Sequence, residues 1–303
     1  MSAHIGLSFD CNLKCKHCFV NKEEDNATNI KKLKDFIPEL VEEGLFYLYY
    51  TYGEPLLCPD FFEFVKYIKK FPIYQILMSN GTLIDKEMAI KIDQSSIKKC
   101  MISVDSISPE KHDENRGEKG AWEKAINGIR NMRRFAPSVN VGIATTVTKE
   151  NENELKELLD LAIKENVSDI SFLAERKGEK ILHHSLDSHY SEIYRNFVMF
   201  NDVQNINLFF HDLSLLKVTR QLFQEKKISE KNYEKFTHMN RCQCNTNISI
   251  SPKGDVYVCN FMNGNLLGNI HKDSTAFILS KHKKCKNTCK VSNLPIKKKE
   301  VYS

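Results

Sequence analysis

The sequence predicts an α/β protein: a partial (β/α)6 TIM-like barrel followed by a small C-terminal β-hairpin and helix domain. Short β-rich runs alternate with amphipathic helical patterns up to about residue 177. Each return between parallel strands needs a crossover, and the segments between these runs have helical periodicity. The handedness rule for such crossovers favours a barrel or a partly open barrel over a meander.

Six segments have the β-branched and aromatic composition of strands: Ile5–Phe9, Phe46–Thr51, Tyr74–Met78, Met101–Val104, Val139–Val147 and Asp169–Leu173. Apolar residues at helical spacing separate them, as in the run from Ile30 to Val41, which stops near Gly44. In a barrel of parallel strands, functional residues lie on the loops after the carboxyl ends of the strands. We therefore expect the site on those loops.

The pattern divides the chain into three parts. Residues 1–177 form the predicted barrel, residues 178–238 a helical connecting region with no predicted strand, and residues 239–303 a small domain. The small domain contains a predicted β-hairpin, because apolar residues alternate on either side of a Pro-Lys-Gly-Asp turn: Ile248, Ile250, Val256 and Val258.

Composition argues for a cytoplasmic protein with bound metal. The 303 residues include no apolar run of membrane-spanning length, and the N-terminus lacks a signal-peptide pattern, so no membrane role is expected. Ten cysteines in such a compartment indicate metal ligands, since disulfides are rare there. Residues 271–303 carry nine lysines against two acids. A nucleic-acid partner is disfavoured, because lysines beside Cys285 and Cys289 can offset the charge of a thiolate-bound cluster.

Three cysteines, Cys11, Cys15 and Cys18, follow the first predicted strand as C-x3-C-x2-C. Thiolates are soft ligands for zinc or iron-sulfur clusters, and three of them leave one iron of a four-iron cluster without a protein ligand. That iron is open to chemistry. The alternative is structural zinc, which prefers four ligands. His17 is the nearby candidate for a fourth, and it lies inside the C-x2-C step.

Polar residues also follow the next three strands. Thr51–Leu56 contains Gly53 and Glu54, and a glutamate accepts hydrogen bonds from an ammonium group. Ser79–Thr82 contains Asn80-Gly81, and Ser103 and Asp105 end the fourth strand. Taken singly, each of these three segments has the composition of an ordinary turn. Together with the cysteine loop, they predict a pocket that holds a polar ligand against iron.

These motifs, in this order, resemble the radical S-adenosylmethionine (radical SAM) superfamily, and the likeness extends through the segments from Asp105 to Gly117 and from Thr145 to Asn151. The resemblance implies a 4Fe–4S cluster on the three cysteines whose unique iron binds the amino and carboxylate groups of S-adenosylmethionine. Reductive cleavage then gives a 5′-deoxyadenosyl radical that abstracts hydrogen from substrate. It also implies ligand contacts in two sets. The ammonium contacts are Tyr52, Gly53 and Glu54, and the carboxylate or ribose contacts are Asn80, Ser103 and Asp105. The family usually has glycine where this chain has Tyr52.

The C-terminal cysteines resemble the SPASM and twitch extensions of that superfamily. Cys244 to Cys259 fit C-x9-G-x4-C, and Cys285 and Cys289 follow. The resemblance implies one auxiliary 4Fe–4S cluster on these four cysteines, with Cys242 as an alternative to Cys244. A four-cysteine zinc ribbon is the other interpretation of the spacing.

The resemblance implies an enzyme that acts on a peptide, by epimerisation, crosslinking or thioether formation, with a reductant such as flavodoxin or ferredoxin. The alternative is a dehydrogenase or isomerase of a small molecule, such as an aminosugar or nucleotide. Peptide maturases often carry an N-terminal leader-binding domain, whereas the first strand here begins near His4. Cys58, just after Gly-Glu-Pro, is a candidate hydrogen donor, and Cys100, expected to open the fourth strand, is assigned to packing.

Overall fold

The structure is a computed structural model that describes residues 1–18, 20, 30–177, 180–181, 206–211, 213–230, 233, 246–258 and 266–284. Its first six strands are β1 Ser2–Gly6, β2 Tyr47–Thr51, β3 Tyr74–Ser79, β4 Ile97–Ser103, β5 Asn140–Val147 and β6 Asp169–Ala174. The helices between them are α1 Ile30–Glu42, α2 Phe61–Ile68, α3 Lys86–Asp93, α4 Pro109–Arg116, α5 Ala121–Phe135 and α6 Leu155–Lys164.

The rest of the described chain adds strands to both sides of this unit. Its elements are β7 Arg176–Lys177, β8 Lys180–Ile181, β9 Asn207–His211, α7 Leu213–Gln224, β10 Asn247–Ile250, β11 Asp255–Tyr257, β12 Leu266–Asn269 and α8 Thr275–Lys284. Among the described residues, no helix is both long and apolar enough to cross a bilayer.

The main sheet has ten strands in the order β12-β11-β10-β1-β2-β3-β4-β5-β6-β9. Every pair from β10 to β9 is parallel, and only β11 and β12 run antiparallel to their neighbours. The sheet does not close, because β12 and β9 are its two edges. This confirms the predicted partial barrel.

Helices cover one face of the sheet and form the main core with it. Tyr50 from β2 packs edge-on against Phe61 and Phe64 from α2, and all three side chains are fully buried. Burying such aromatic surface is the main favourable term in folding. The opposite face has a smaller cluster around Ile76, Met101 and Ala144.

Two strands are displaced from their predicted bounds by three or four residues, and the other predicted strand ends agree with the structure to within one residue. The first strand ends at Gly6 and not at Phe9, because the Ser8 hydroxyl accepts a hydrogen bond from the Asp10 N–H and turns the chain. The fourth strand begins at Ile97, so Cys100 lies inside it and does not open it. Lysines at 98 and 99 hide this start in the sequence.

The expectation that residues 178–238 contain no strand is wrong at β9, which pairs in parallel with β6. Five residues with two adjacent phenylalanines are too short for strand alternation to be distinguished from a turn of helix. The short β7–β8 hairpin also enters this region at Lys180.

The predicted C-terminal hairpin is confirmed as β10 and β11, with Gly254 in the turn at φ +81°. The hairpin joins the barrel sheet, because β10 pairs with β1 from Ser2 to Ile5. The boundaries proposed for three parts of the chain stay a prediction.

Candidate active site

The cysteine loop follows β1 and is held by backbone contacts on two sides. On one side the Glu54 N–H donates to the Asp10 carbonyl at 2.6 Å. A Cβ on Gly53 would lie 2.3 Å from that same oxygen, so only glycine fits there. The first side of the clamp therefore comes from the loop after β2.

The second side of the clamp is the end of α4. The N–H groups of Lys14 and Lys16 donate to the carbonyls of Arg116 and Asn115, at 3.1 and 2.8 Å. Gly117 ends α4 at φ +69°, and a Cβ there would lie 2.5 Å from the Lys14 carbonyl. The path of the loop is thus fixed by main chain from β2 and α4, and not by its own side chains alone.

The three cysteines lie on this loop, and none of them forms a disulfide. The Cys11 Sγ accepts from the Leu13 N–H at 3.5 Å, and the Cys18 N–H donates to the Cys15 carbonyl at 3.2 Å. Burial raises the pKa of the Cys15 thiol, and the nearby Arg116 guanidinium opposes that rise. Arg116 Nη1 lies 3.9 Å from Cys15 Sγ.

This donor set fits a cluster better than one metal ion. Across the described ranges, no three His, Cys, Asp or Glu side chains are arranged to hold a single ion. In a four-iron cluster each thiolate binds a different iron, so the ligands stand farther apart than those of one ion. His17 turns its ring towards Asn115 Oδ1, at 3.3 Å, and Asp105, at 3.8 Å. The histidine is thus engaged away from the thiols.

Tyr52 has a left-handed backbone, with φ +63°, which is costly for any residue except glycine. Glycine adopts this conformation without strain, which is a physical reason why the family that the sequence resembles usually has glycine at this position. The ring is buried against Phe9 at 6.3 Å between centroids, and the hydroxyl lies 2.7 Å from Ser249 Oγ on β10. Tyr52 therefore ties the loop after β2 to the C-terminal hairpin.

Glu54 is buried, and its carboxylate is occupied by protein donors. Oε1 accepts from the Ser79 hydroxyl at 2.9 Å and from the Leu56 N–H at 3.3 Å, and Oε2 accepts from the Asn80 N–H at 2.7 Å. Burial raises its pKa to about 7, although these hydrogen bonds act to lower it. Glu54 thus joins the carboxyl ends of β2 and β3.

Asn80 continues this network into the cysteine loop. Its Nδ2 donates to Asn12 Oδ1 at 2.9 Å, and its Oδ1 accepts from the Thr82 hydroxyl at 2.6 Å. Asn12 in turn donates to the Thr82 hydroxyl at 2.8 Å. The structure therefore places Asn80 against the cysteine loop, as the strand-end argument predicts.

Asp105 is the centre of a buried ionic network. Its Oδ2 lies 2.7 Å from Arg116 Nε, and its Oδ1 accepts from the Thr146 N–H at 3.0 Å. Burial acts to raise the pKa of Asp105, but Arg116 and the two nearby histidines lower it to about 2. His112 Nδ1 accepts from the Asp105 N–H at 3.1 Å. The carboxylate is thus a fixed negative charge.

The other predicted site residues lie in different settings. Ser103 ends β4 next to Ala144 of β5 and is half-buried. Cys58 is buried in the main core before α2, and burial raises the pKa of its thiol. Its role as hydrogen donor stays a prediction. Cys100 is fully buried. The auxiliary-cluster residues lie outside the described residues: Cys242, Cys244, Cys259, Cys285 and Cys289.

Sequence reasoning missed Asn12, His112 and Arg116. Arg116 comes directly before Gly117, the glycine that ends α4. An arginine next to a helix-ending glycine is the sequence signal that could have identified it. Asn12 and His112 have no such signal, since isolated polar residues are usually solvated or satisfied locally.

Comparisons with known proteins agree with this geometry. Residues 5–162 match the family model described as the Radical SAM superfamily. The chain is 30% identical to the Fe-coproporphyrin III synthase of Methanosarcina barkeri over 182 residues, which are 58% of this chain and 45% of that protein. It is 32% identical to the mycofactocin maturase of Mycolicibacterium smegmatis over 158 residues, 52% of this chain and 40% of that one. The chain thus spans less than half the length of these two relatives.

The fold is similar to that of Streptococcus suis SuiB, whose crystal structure was solved bound to the precursor peptide SuiA. The TM-score is 0.69 at 18% identity, and the match covers 91% of this chain and 63% of SuiB. At this identity the likeness shows the fold. It extends past residue 162, where the family match ends.

Tyr52→Gly should destabilise the protein by about 2–4 kcal/mol, because losing a buried ring outweighs relief of the left-handed backbone. Tyr52→Phe should cost only about 1 kcal/mol, since it removes one hydrogen bond to Ser249. Urea unfolding of both variants measures this. Ser249→Ala is the matched control because it removes the other partner of this hydrogen bond. In a chain that already carries Ser249→Ala, adding Tyr52→Phe should change the free energy of unfolding little. A Tyr52→Gly variant as stable as the parent would contradict this account.

Proposed function

Because the chain belongs to the radical SAM superfamily, we propose that Cys11, Cys15 and Cys18 hold the family's 4Fe–4S cluster and that the enzyme modifies a peptide. Family membership implies the cluster and S-adenosylmethionine as cofactors. The assignment of the three cysteines as ligands is supported by their shared loop, their soft donors and the backbone clamp that fixes the loop. Three ligands leave one iron open for S-adenosylmethionine.

The chain's own residues orient this cofactor and shield it. Gly53 and the main chain of Tyr52 line the cysteine loop closely enough to contact a bound amino acid group. The Glu54 carboxylate accepts three hydrogen bonds, from Leu56, Ser79 and Asn80, and a carboxylate has about four acceptor positions, so we propose that Glu54 shapes the loop and also accepts from the ammonium group. Asn80 and Ser103, at neighbouring strand ends, complete the polar rim.

When bound, the cluster and S-adenosylmethionine supply a 5′-deoxyadenosyl radical for hydrogen abstraction. A one-electron donor such as flavodoxin or ferredoxin must deliver the electron. On the face of the sheet opposite the main core, Ile76, Met101 and Ala144 form a buried apolar cluster, and we propose that the substrate lies over this face of the sheet.

One observation carries the peptide proposal: the fold likeness to SuiB, which was solved with its precursor peptide, covers 91% of this chain and so extends beyond the family match at residues 5–162. The chain is also similar to a mycofactocin maturase. In this chain the Tyr52 hydroxyl contacts Ser249 on β10. The C-terminal hairpin is therefore tied to the loop that lies beside the cysteines.

A tetrapyrrole substrate is the second candidate. It is favoured by the Fe-coproporphyrin III synthase, whose match covers 58% of this chain. The aminosugar or nucleotide substrate considered from the sequence stays a prediction.

We also propose one auxiliary 4Fe–4S cluster on Cys244, Cys259, Cys285 and Cys289. Its support is the spacing of these cysteines and the β10–β11 hairpin, whose position between Cys244 and Cys259 suits a cluster-binding domain. The placement of β10 beside β1 joins that region to the barrel.

Replacing Cys11, Cys15 and Cys18 with alanine should abolish 5′-deoxyadenosine formation, because no thiolate remains to hold the catalytic cluster. Anaerobically reconstituted protein with dithionite and S-adenosylmethionine, analysed by chromatography, measures the product. Cys100→Ala is the control and should retain formation, because Cys100 is buried inside β4. Product from the triple variant would rule out this ligand set.

Replacing Cys285 and Cys289 with alanine should remove about half of the reconstituted iron and sulfide, since a four-iron cluster needs its cysteine ligands. Cleavage of S-adenosylmethionine without substrate should persist. Iron analysis against the unchanged chain tests this, and equal iron would contradict the auxiliary cluster.

The substrate class is tested by mass spectrometry of two reactions. One contains a synthetic peptide encoded by a short open reading frame next to this gene, and the other contains a tetrapyrrole precursor of Fe-coproporphyrin III, the compound that the synthase named above forms. Both reactions are run in deuterated water, so that epimerisation, which exchanges one hydrogen, also changes the mass. We expect a mass change in the peptide, dependent on S-adenosylmethionine and absent in the triple-cysteine variant. A change in the tetrapyrrole alone would overturn the peptide proposal and leave the radical chemistry intact.

A further inference from the structure

We propose that Arg116 is a positioning residue whose guanidinium, held beside Cys15, sets the reduction potential of the cluster. The proposal rests on the cluster assignment made above and not on the substrate class. It assigns a role to a residue that none of the cysteine, Gly-Glu-Pro or strand-end motifs contains.

The geometry places one buried positive charge next to one ligand sulfur. Arg116 is 7% exposed, and its Nη1 lies 3.9 Å from Cys15 Sγ. The Nε of the same group lies 2.7 Å from Asp105 Oδ2. The guanidinium therefore bridges a thiol ligand and a buried carboxylate. Arginine keeps its proton in proteins, so the charge is permanent.

The main chain keeps this charge in place. The Arg116 carbonyl accepts from the Lys14 N–H, one residue before Cys15, and the Asn115 carbonyl accepts from the Lys16 N–H, one residue after it. Asn115 Nδ2 also donates to Asp105 Oδ2, at 3.3 Å. Because α4 and the cysteine loop are joined on both sides of Cys15, the Arg116 backbone is fixed relative to Cys15, and the ion pair with Asp105 holds the guanidinium itself.

The electrostatic consequence has a definite sign. Reduction by a one-electron donor of the flavodoxin class adds one negative charge to the cluster and moves no proton at Arg116. A nearby positive charge stabilises the reduced form, and a nearby negative charge disfavours it. Arg116 therefore raises the potential, and Asp105 lowers it. Their effects are strong because both groups are buried, where screening by salt is weak.

The test is a redox titration of the anaerobically reconstituted full chain, followed by EPR. The signal used is the one that changes when S-adenosylmethionine is added, so that an auxiliary cluster is not measured by mistake. Arg116→Met should lower the ratio of reduced to oxidised cluster about tenfold at a fixed potential, a shift of about 59 mV for one electron. Asp105→Asn should raise that ratio, and the double variant should lie between the two.

Three controls keep the outcomes distinct. Arg130→Met removes an exposed arginine paired with Glu165 and should leave the potential unchanged. Arg116→Lys keeps the charge and should restore much of the potential lost in Arg116→Met. Iron content and thermal melts confirm that each variant is folded and loaded.

Shifts of the same sign in Arg116→Met and Asp105→Asn would show that loosening of the loop, and not charge, changes the potential, and would overturn the proposal. An unchanged potential in Arg116→Met with full iron would overturn it as well. Absence of any cluster in the unchanged chain would instead refute the cluster assignment itself.

Discussion

The backbone clamp on the cysteine loop is the constraint on which the site depends. Gly53 and Gly117 approach the carbonyls of Asp10 and Lys14 so closely that any Cβ would overlap them. The two glycines come from loops after β2 and α4, so the sheet and a helix together fix the position of the loop. A cluster held by three thiolates needs this support, since it lacks the fourth protein ligand that closes a structural metal site.

Two buried carboxylates, Glu54 and Asp105, fix the residues around this loop, and their pKa values are shifted in opposite directions. Glu54 has neutral donors and a raised pKa, whereas Asp105 has a guanidinium partner and a lowered one. Glu54 joins strand ends through hydrogen bonds, and Asp105 fixes Arg116 beside Cys15. The structure therefore places an ion pair beside Cys15, whereas Glu54 is held by neutral donors. This asymmetry suits the proposed arrival of one electron on a cluster held by Cys15.

The sequence is enough to predict the open α/β barrel and to bring Cys11–Cys18, Glu54, Asn80 and Asp105 to one end of the sheet. Periodicity and strand-end position carry that information, because both are local. The contact of Arg116 with Cys15 joins residues far apart in the chain, and a lone arginine has no pattern of its own. The strand β9 escapes prediction because it is a short edge strand, and the pairing of β10 with β1 escapes it because a hairpin does not specify its neighbour. The backbone of Tyr52 could not be predicted from the sequence either. Its φ of +63° is unfavourable for tyrosine, and the packing of its buried side chain stabilises this conformation.

The most direct test of the central claim is pulsed EPR of the reduced, reconstituted protein with S-adenosylmethionine labelled with 15N at its amino group. If the clamped three-cysteine loop leaves one iron open, the label should show a hyperfine coupling to the cluster. That coupling should disappear when Cys15 is replaced by alanine. A reduced cluster with the parent spectrum and no coupling to the label would contradict the account.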